Sequence, residues 1–306
     1  MPGAYAHITL VNLLSETAKL RRLPREAARA VQMNFKFCEL GAVSPDYPYL
    51  ALGNHGAMQW ADAMHYERTG EMIHAGIDYL RGATERARKK GTAWLLGYTA
   101  HVATDVTIHP VVELKVGPYH GNEKTHRICE MHQDSHIFQR LDLGGIGIGE
   151  HLDSGIAACS ENDDRELLDS DIERMWRSML QKVYPEQFAN DPPDIHLWHR
   201  RFVFMVDRVA EEGHRLLPIA RHVAVDAGLT YPSKDGVNPE FIRNLAIPGG
   251  RDDYDAIFDK AAENVASAWD LVARGVFAND QGYLAGIGHW NLDTGQDENG
   301  TLVFWS

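Results

Sequence analysis

The sequence predicts an all-α protein, a multi-helix bundle ending in a short irregular or hairpin tail. Three observations predict it. Apolar residues recur with helical period through most of the chain. Pro and Gly punctuate those runs where helices begin and stop. Only from Gln281 to Ser306 do aromatics, Gly and Asn/Asp turn signals replace the helical pattern.

Taken in order, Leu23-Pro24-Arg25-Glu26 opens a helix reaching about Glu39, with Pro24 suited to a first turn and Gly41 to a stop. Gly41 to Gly53 carries Pro and Gly turn signals and reads as a loop. His55–Tyr66 and Glu71–Lys90 read as helices broken at Thr69-Gly70, and Gly91–Ile108 as an apolar helix ended by Pro110. Asn122–Leu141 is the next helix, closed by the Gly-rich LGGIGIGEH. Asp164–Val183, Ile195–Leu217 and Asp252–Ala273 are charged, periodic and amphipathic. The expected organisation is a helical core over 1–145 and a C-terminal helical extension over 146–306, packed on the same domain.

Composition narrows the function classes. The chain of 306 residues has a formal net charge of -13, which disfavours a stable complex with nucleic acid. A polyanionic substrate stays open, because bound dications would reverse the local sign. Cys38, Cys129 and Cys159 form no CxxC pair, so neither a disulfide framework nor a thiolate zinc site is indicated. MPGAYAHITLVNLL lacks a basic leader, and no apolar run approaches the roughly 20 residues that span a bilayer. A cytoplasmic protein without a transmembrane segment is the expectation; the oligomeric state is not legible.

The informative number is 16 histidines. In His101-Val-Ala-Thr-Asp105-Val-Thr-Ile-His109-Pro110, positions four apart on a helix drift only about 40° per step. His101, Asp105 and His109 therefore form one ridge of imidazole and carboxylate, groups that suit zinc, within otherwise apolar sequence. A buried hydrogen-bonded His–Asp network is the competing reading. His126, Glu130 and Asp134 form a second ridge with the same spacing, and His132 and His136 lie on another face. Helices exposed to water also carry such pairs. Taken singly, His7 reads as a core histidine, Asp46 as a turn residue and His65 as helix packing. His196, His199, His214, His222 and His289 lack carboxylates at useful spacing and read as structural or surface residues.

The succession His7, Asp46, His65, His101xxxAsp105, His109, His126xxxGlu130 resembles the zinc-dependent phospholipase C family, and more distantly the single-strand-specific nucleases. The resemblance spans roughly residues 5–140. It implies an all-helical fold and a cluster of two or three Zn2+ ions. Asp46, His65 and His101 would hold the first ion, His7 and Asp105 the second with Asp105 bridging, and His109, His126 and Glu130 the third. Two departures keep two ions open as well as three. Family enzymes complete the second site with an N-terminal Trp where this chain begins Met1-Pro2, and the gap from Asp105 to His109 is short.

The implied activity is hydrolysis of a phosphoester, a phospholipid head group or a nucleotide, with Asp46 also a candidate general base. Asp134 is a candidate outer partner of a ligand imidazole or a surface charge. Tyr47, Tyr49, Trp60 and Tyr66 are candidate pocket or core aromatics. A nuclease or phosphomonoesterase on the same cluster, and a non-catalytic helical protein with structural zinc, are the alternatives.

Overall fold

A helix that is apolar on every side has to be buried, and the longest helix among the described residues obeys that rule. The computed structural model describes residues 3–141, 148–211 and 231–305. In chain order its helices begin with α1 (Ala4–Leu14), α2 (Thr17–Leu20), α3 (Arg25–Met33) and α4 (Phe35–Val43). A 3-10 segment over Ser44–Leu50 leads to α5 (His55–Tyr66), α6 (Thr69–Gly82), the 32-residue α7 (Glu85–Val116) and α8 (Glu123–Ile137). Then come α9 (Ile148–Leu152), the hairpin β1 (Ser160–Glu161) and β2 (Asp164–Leu168), and α10 (Ser170–Val183), α11 (Pro185–Asn190) and α12 (Ile195–Glu211). A second hairpin, β3 (Leu245–Ile247) and β4 (Gly250–Asp252), precedes α13 (Tyr254–Phe277) and α14 (Tyr283–Gly286). The described chain is mostly helical, as the sequence predicts.

Helix α7 is the axis of the molecule, buried from Gly91 through Val112. Helix α4 crosses it at two glycines. A Cβ on Gly41 would stand 2.0 Å from the Trp94 carbonyl oxygen, and one on Gly97 would stand 2.0 Å from that of Cys38. Gly41 is thus a crossing point inside α4 rather than the expected stop. On the other flank, α13 ties itself to α7 through Trp269 Nε1, donating to Leu96 O at 2.6 Å, and Asn264 Nδ2, donating to Thr107 Oγ1 at 3.0 Å.

Other boundaries also differ from the sequence reading. The expected break at Gly91 falls instead before α7, where Thr84 Oγ1 accepts from the Ala87 amide and caps the helix. Pro110 lies inside α7 rather than ending it. Its ring removes the amide that would bond Val106 O, and the tail packs on that turn. A Cβ on Gly295, which has φ +68, would stand 2.5 Å from both Val106 O and Pro110 Cγ, and Trp305 Nε1 donates to Thr107 O at 2.8 Å. Asp164–Leu168 is a strand; the helix begins only where the Asp169 carboxylate accepts from the amides of Asp171 and Ile172. The expected helix beyond Glu211, and most of LGGIGIGEH, lie outside the described residues. The tail forms isolated antiparallel bridges, Trp290 to Asp297 and Gln296 to Leu302. All three cysteines are buried and unpaired, and no described helix is long and apolar enough to cross a membrane.

Candidate metal centre

One face of α7 carries His101, Asp105 and His109 over two turns, and all three are buried. Four other segments bring side chains to that face. Helix α1 brings His7, the 3-10 segment Asp46, α5 His65, and α8 His126 and Glu130. None of these eight side chains is more than 2 % exposed by residue.

They gather into three groups. His65 Nε2 lies 3.5 Å from Asp46 Oδ1 and 3.4 Å from His101 Nε2. His101 Nε2 lies 3.3 Å from Asp105 Oδ2, whose other oxygen faces His7 Nε2 at 3.2 Å, and the rings of His7 and His101 stack at 4.1 Å. Asp46, His65 and His101, and likewise His7, His101 and Asp105, each offer ligand atoms within 4.8 Å of one another. One turn further along α7, His109 Nε2 and His126 Nδ1 each stand 3.8 Å from Glu130 Oε1.

Backbone carbonyls decide which imidazole nitrogens can bind a cation. His65 Nδ1 bonds Ala61 O at 2.7 Å, His101 Nδ1 bonds Ala42 O at 2.9 Å, His126 Nε2 bonds Gly117 O at 2.6 Å, and His109 Nδ1 bonds Leu292 O. A carbonyl oxygen only accepts, so each of those nitrogens carries the hydrogen. In the neutral rings the opposite nitrogens then present lone pairs to one another and to the carboxylates. Both nitrogens of His7, Asp46 Oδ1, both oxygens of Asp105, His109 Nε2 and His126 Nδ1 are buried without a hydrogen-bond partner. Each such atom costs about 1–3 kcal/mol if left so. Gaps of 3.2–3.8 Å between acceptors fit a cation held between them, and imidazole and carboxylate suit zinc. The donor set therefore fits the metal.

The electrostatics agree. Burial opposes ionisation of Asp46, yet the adjacent His65 and the charge of His101 overcome it and hold its carboxyl below the usual range. Burial likewise opposes Asp105, and His101 drives it well below that range. His101 itself is raised, because Asp105 outweighs the burial. His7 is lowered by burial and by His101. Burial takes His109 down to about 4. The centre thus favours the ionised form of Asp46 and Asp105 and the neutral form of His7 and His109, the forms that bind metal.

Asp134 is not a surface charge. It is buried and accepts from the Ala6 amide at 2.9 Å and the Tyr231 hydroxyl at 2.9 Å. It thereby fixes the first turn of α1, one residue before His7; a Cβ on Gly3 would collide with it at 1.8 Å. Tyr47 and Trp60 are core residues, packed on Phe202 and Tyr184 respectively, whereas Tyr49 and Tyr66 flank His65 with ring centres 5.7 and 6.2 Å away. Of the C-terminal histidines, His199 is buried against Ser160, while His214 and His222 lie outside the described residues. Sequence reasoning missed Leu292 and Asp293, which reach the centre from the tail. No local signal marks them, because their partners are about 180–230 positions away.

The family model for zinc dependent phospholipase C matches residues 6–186. No curated protein and no solved structure matches the chain. The matched span covers more than half of the chain and contains all eight side chains of the three groups, whose N and O donors suit zinc. The protein belongs to the zinc-dependent phospholipase C family.

Proposed function

We propose that the chain is a zinc-dependent phosphoester hydrolase, a phospholipase C-like phosphodiesterase. The observation that carries the proposal is the convergence of carbonyl-locked imidazole lone pairs on buried carboxylates. Asp46, His65 and His101 would hold one ion, His7 and Asp105 a second beside it, and His109, His126 and Glu130 a third. When bound, zinc supplies Lewis-acid polarisation of a phosphoryl oxygen and lowers the pKa of water from about 15.7 towards 7.

The residues of the chain supply the rest. Asp46, held ionised beside His65, can accept a proton from an attacking water as well as bind metal. Asp105 joins the first two groups through its two oxygens, so it sets their separation. The carbonyls of Ala42, Ala61 and Gly117 fix three imidazoles in the ligating tautomer before any metal arrives. A phospholipid head group is the substrate class the family implies, and the net charge of -13 makes local dications the means of receiving an anion.

The test is metal content per chain on untagged protein, followed by hydrolysis of a phospholipid, a single-stranded oligonucleotide, a phosphomonoester and a chromogenic phosphodiester. Two or three exchangeable zincs, with phospholipid cleaved best, is the expected result. Preference for the oligonucleotide or the monoester would move the activity to a nuclease or phosphomonoesterase on the same cluster. One observation favours a second reading, zinc as a purely structural element: the ligand atoms are buried throughout. Zinc that resists exchange, with none of the four substrates cleaved, would establish that reading instead.

A further inference from the structure

The third group is held from outside the family-matched span. His109 Nδ1 donates to the carbonyl of Leu292, and Asp293 Oδ1 lies 3.7 Å from the same nitrogen. The other oxygen of Asp293 accepts from the Tyr66 hydroxyl at 2.7 Å, and Tyr66 follows His65 on α5. The Leu292 amide in turn donates to the His65 carbonyl at 3.1 Å. Two consecutive tail residues thus touch the settings of two candidate ligands that belong to different groups.

The loop carrying them is itself built to a fixed shape. Asn291 Oδ1 accepts from the amides of Asp293 and Thr294, each at 3.0 Å. Trp290 and Thr69 exchange two hydrogen bonds, amide to hydroxyl at 2.9 Å and hydroxyl to carbonyl at 2.8 Å. Leu292 is fully buried, and the Asp293 side chain is 12 % exposed. Asp293 stands on the Nδ1 edge of His109, whereas Nε2, on the opposite edge, faces Glu130. The Leu292 carbonyl takes the Nδ1 hydrogen, and the Asp293 carboxylate at 3.7 Å acts on that edge as a nearby charge.

We propose that Asp293, with the Leu292 carbonyl, is the positioning element of the His109–His126–Glu130 site, tying the C-terminal tail to α5 and α7. This rests on the metal-centre reading above. The Leu292 carbonyl and the Asp293 charge together turn His109 Nε2 towards Glu130, and Asp293 couples that site to the setting of His65 through Tyr66. Outer partners of metal-bound imidazoles change affinity by about 10–100-fold when removed.

The experiment compares the full chain with Asp293→Ala, Asp293→Asn, Tyr66→Phe, Glu130→Gln and the Asp293→Ala/Glu130→Gln pair. Each is loaded with Zn2+ and dialysed against graded chelator for elemental analysis, and each is loaded with Co2+ for its visible spectrum. With the fold retained by circular dichroism, Asp293→Ala should release one ion per chain at about 10–100-fold weaker chelation and shift the bands of one Co2+ site. Asp293→Asn, still able to accept from Tyr66, should fall between it and the unmodified chain. The pair should bind no less metal than Glu130→Gln alone, because both changes act on the same ion. Unchanged metal release and spectrum in a folded Asp293→Ala would overturn the proposal. Should that variant not fold, Tyr66→Phe carries the test: weaker retention of the same ion supports the proposal, and unchanged retention overturns it. An unmodified chain that takes up no metal would overturn the metal centre itself, and this inference with it.

Discussion

Two buried sites in this protein use the same side-chain types to opposite ends. Around α7, imidazoles and carboxylates stand 3.2–3.8 Å apart, and Asp46 Oδ1, both oxygens of Asp105, His109 Nε2 and His126 Nδ1 have no hydrogen-bond partner. Where α1, α4 and α9 meet, Glu39 is buried too, but Asn12 Nδ2 donates to it at 2.7 Å and His151 Nε2 contacts it at 2.9 Å. The second arrangement is already satisfied and leaves no gap for an ion. The first would become satisfied if a cation filled its gaps. Proximity of His to Asp or Glu is therefore a poor mark of a metal site; separation and the fixed direction of the lone pairs are better ones.

The comparison breaks most readily at Asp105, which serves two groups. Asp105→Asn should remove two ions per chain and lower phosphodiester turnover by more than the roughly 100-fold that outer partners are worth. Elemental analysis and a turnover assay on folded protein check this, and full zinc content with normal turnover would remove Asp105 from the centre. Glu130→Gln should be milder, costing one ion and leaving the Asp46–His65–His101 group loaded. Loss of every ion from that variant would show that the three groups are a single cooperative unit.

Glu39→Gln sharpens the other half of the comparison. It should leave zinc content and turnover unchanged while destabilising the fold by about 1.5–3 kcal/mol, the worth of hydrogen bonds to a charged group. Denaturant unfolding reads the loss. A drop in zinc content would place Glu39 in the same class as Asp105.

The smallest effect is expected at His199, buried with no carboxylate paired to it among the described residues. Burial lowers its imidazole to about 4 from an ordinary 6.5. Between those values the unfolded chain binds the proton and the folded chain does not. The stability tied to His199 is therefore complete above about pH 6.5 and falls as the pH drops towards 4, by at most a few kcal/mol. His199→Gln should flatten this part of the stability profile without altering metal content. An unchanged profile would assign the acid sensitivity to other groups.

The scaffold was legible where a residue and its partner share one helix. His101 and Asp105, and His126 and Glu130, stand four apart, and helical geometry alone places each pair on one face. Helix ends were less legible at Gly41, Gly91 and Pro110. Glycine signals a stop and also permits two helices to touch, as Gly41 does at Trp94. Only the partner helix distinguishes these uses. Pro110 survives inside α7 because a distant tail covers the turn it weakens.

The sequence by itself determined the helical class, the two ridges and, through their order, the family. His7, Asp46 and His65 carry no spacing signal of their own, since three separate segments deliver them to α7. The tertiary structure decided which atoms face one another. The carbonyls of Ala42, Ala61, Gly117 and Leu292 choose the free nitrogen of each ring, and Asp293 arrives from the far end of the chain. A hydrogen bond depends on position and direction in space. Local periodicity records neither for residues that meet only after the chain has folded.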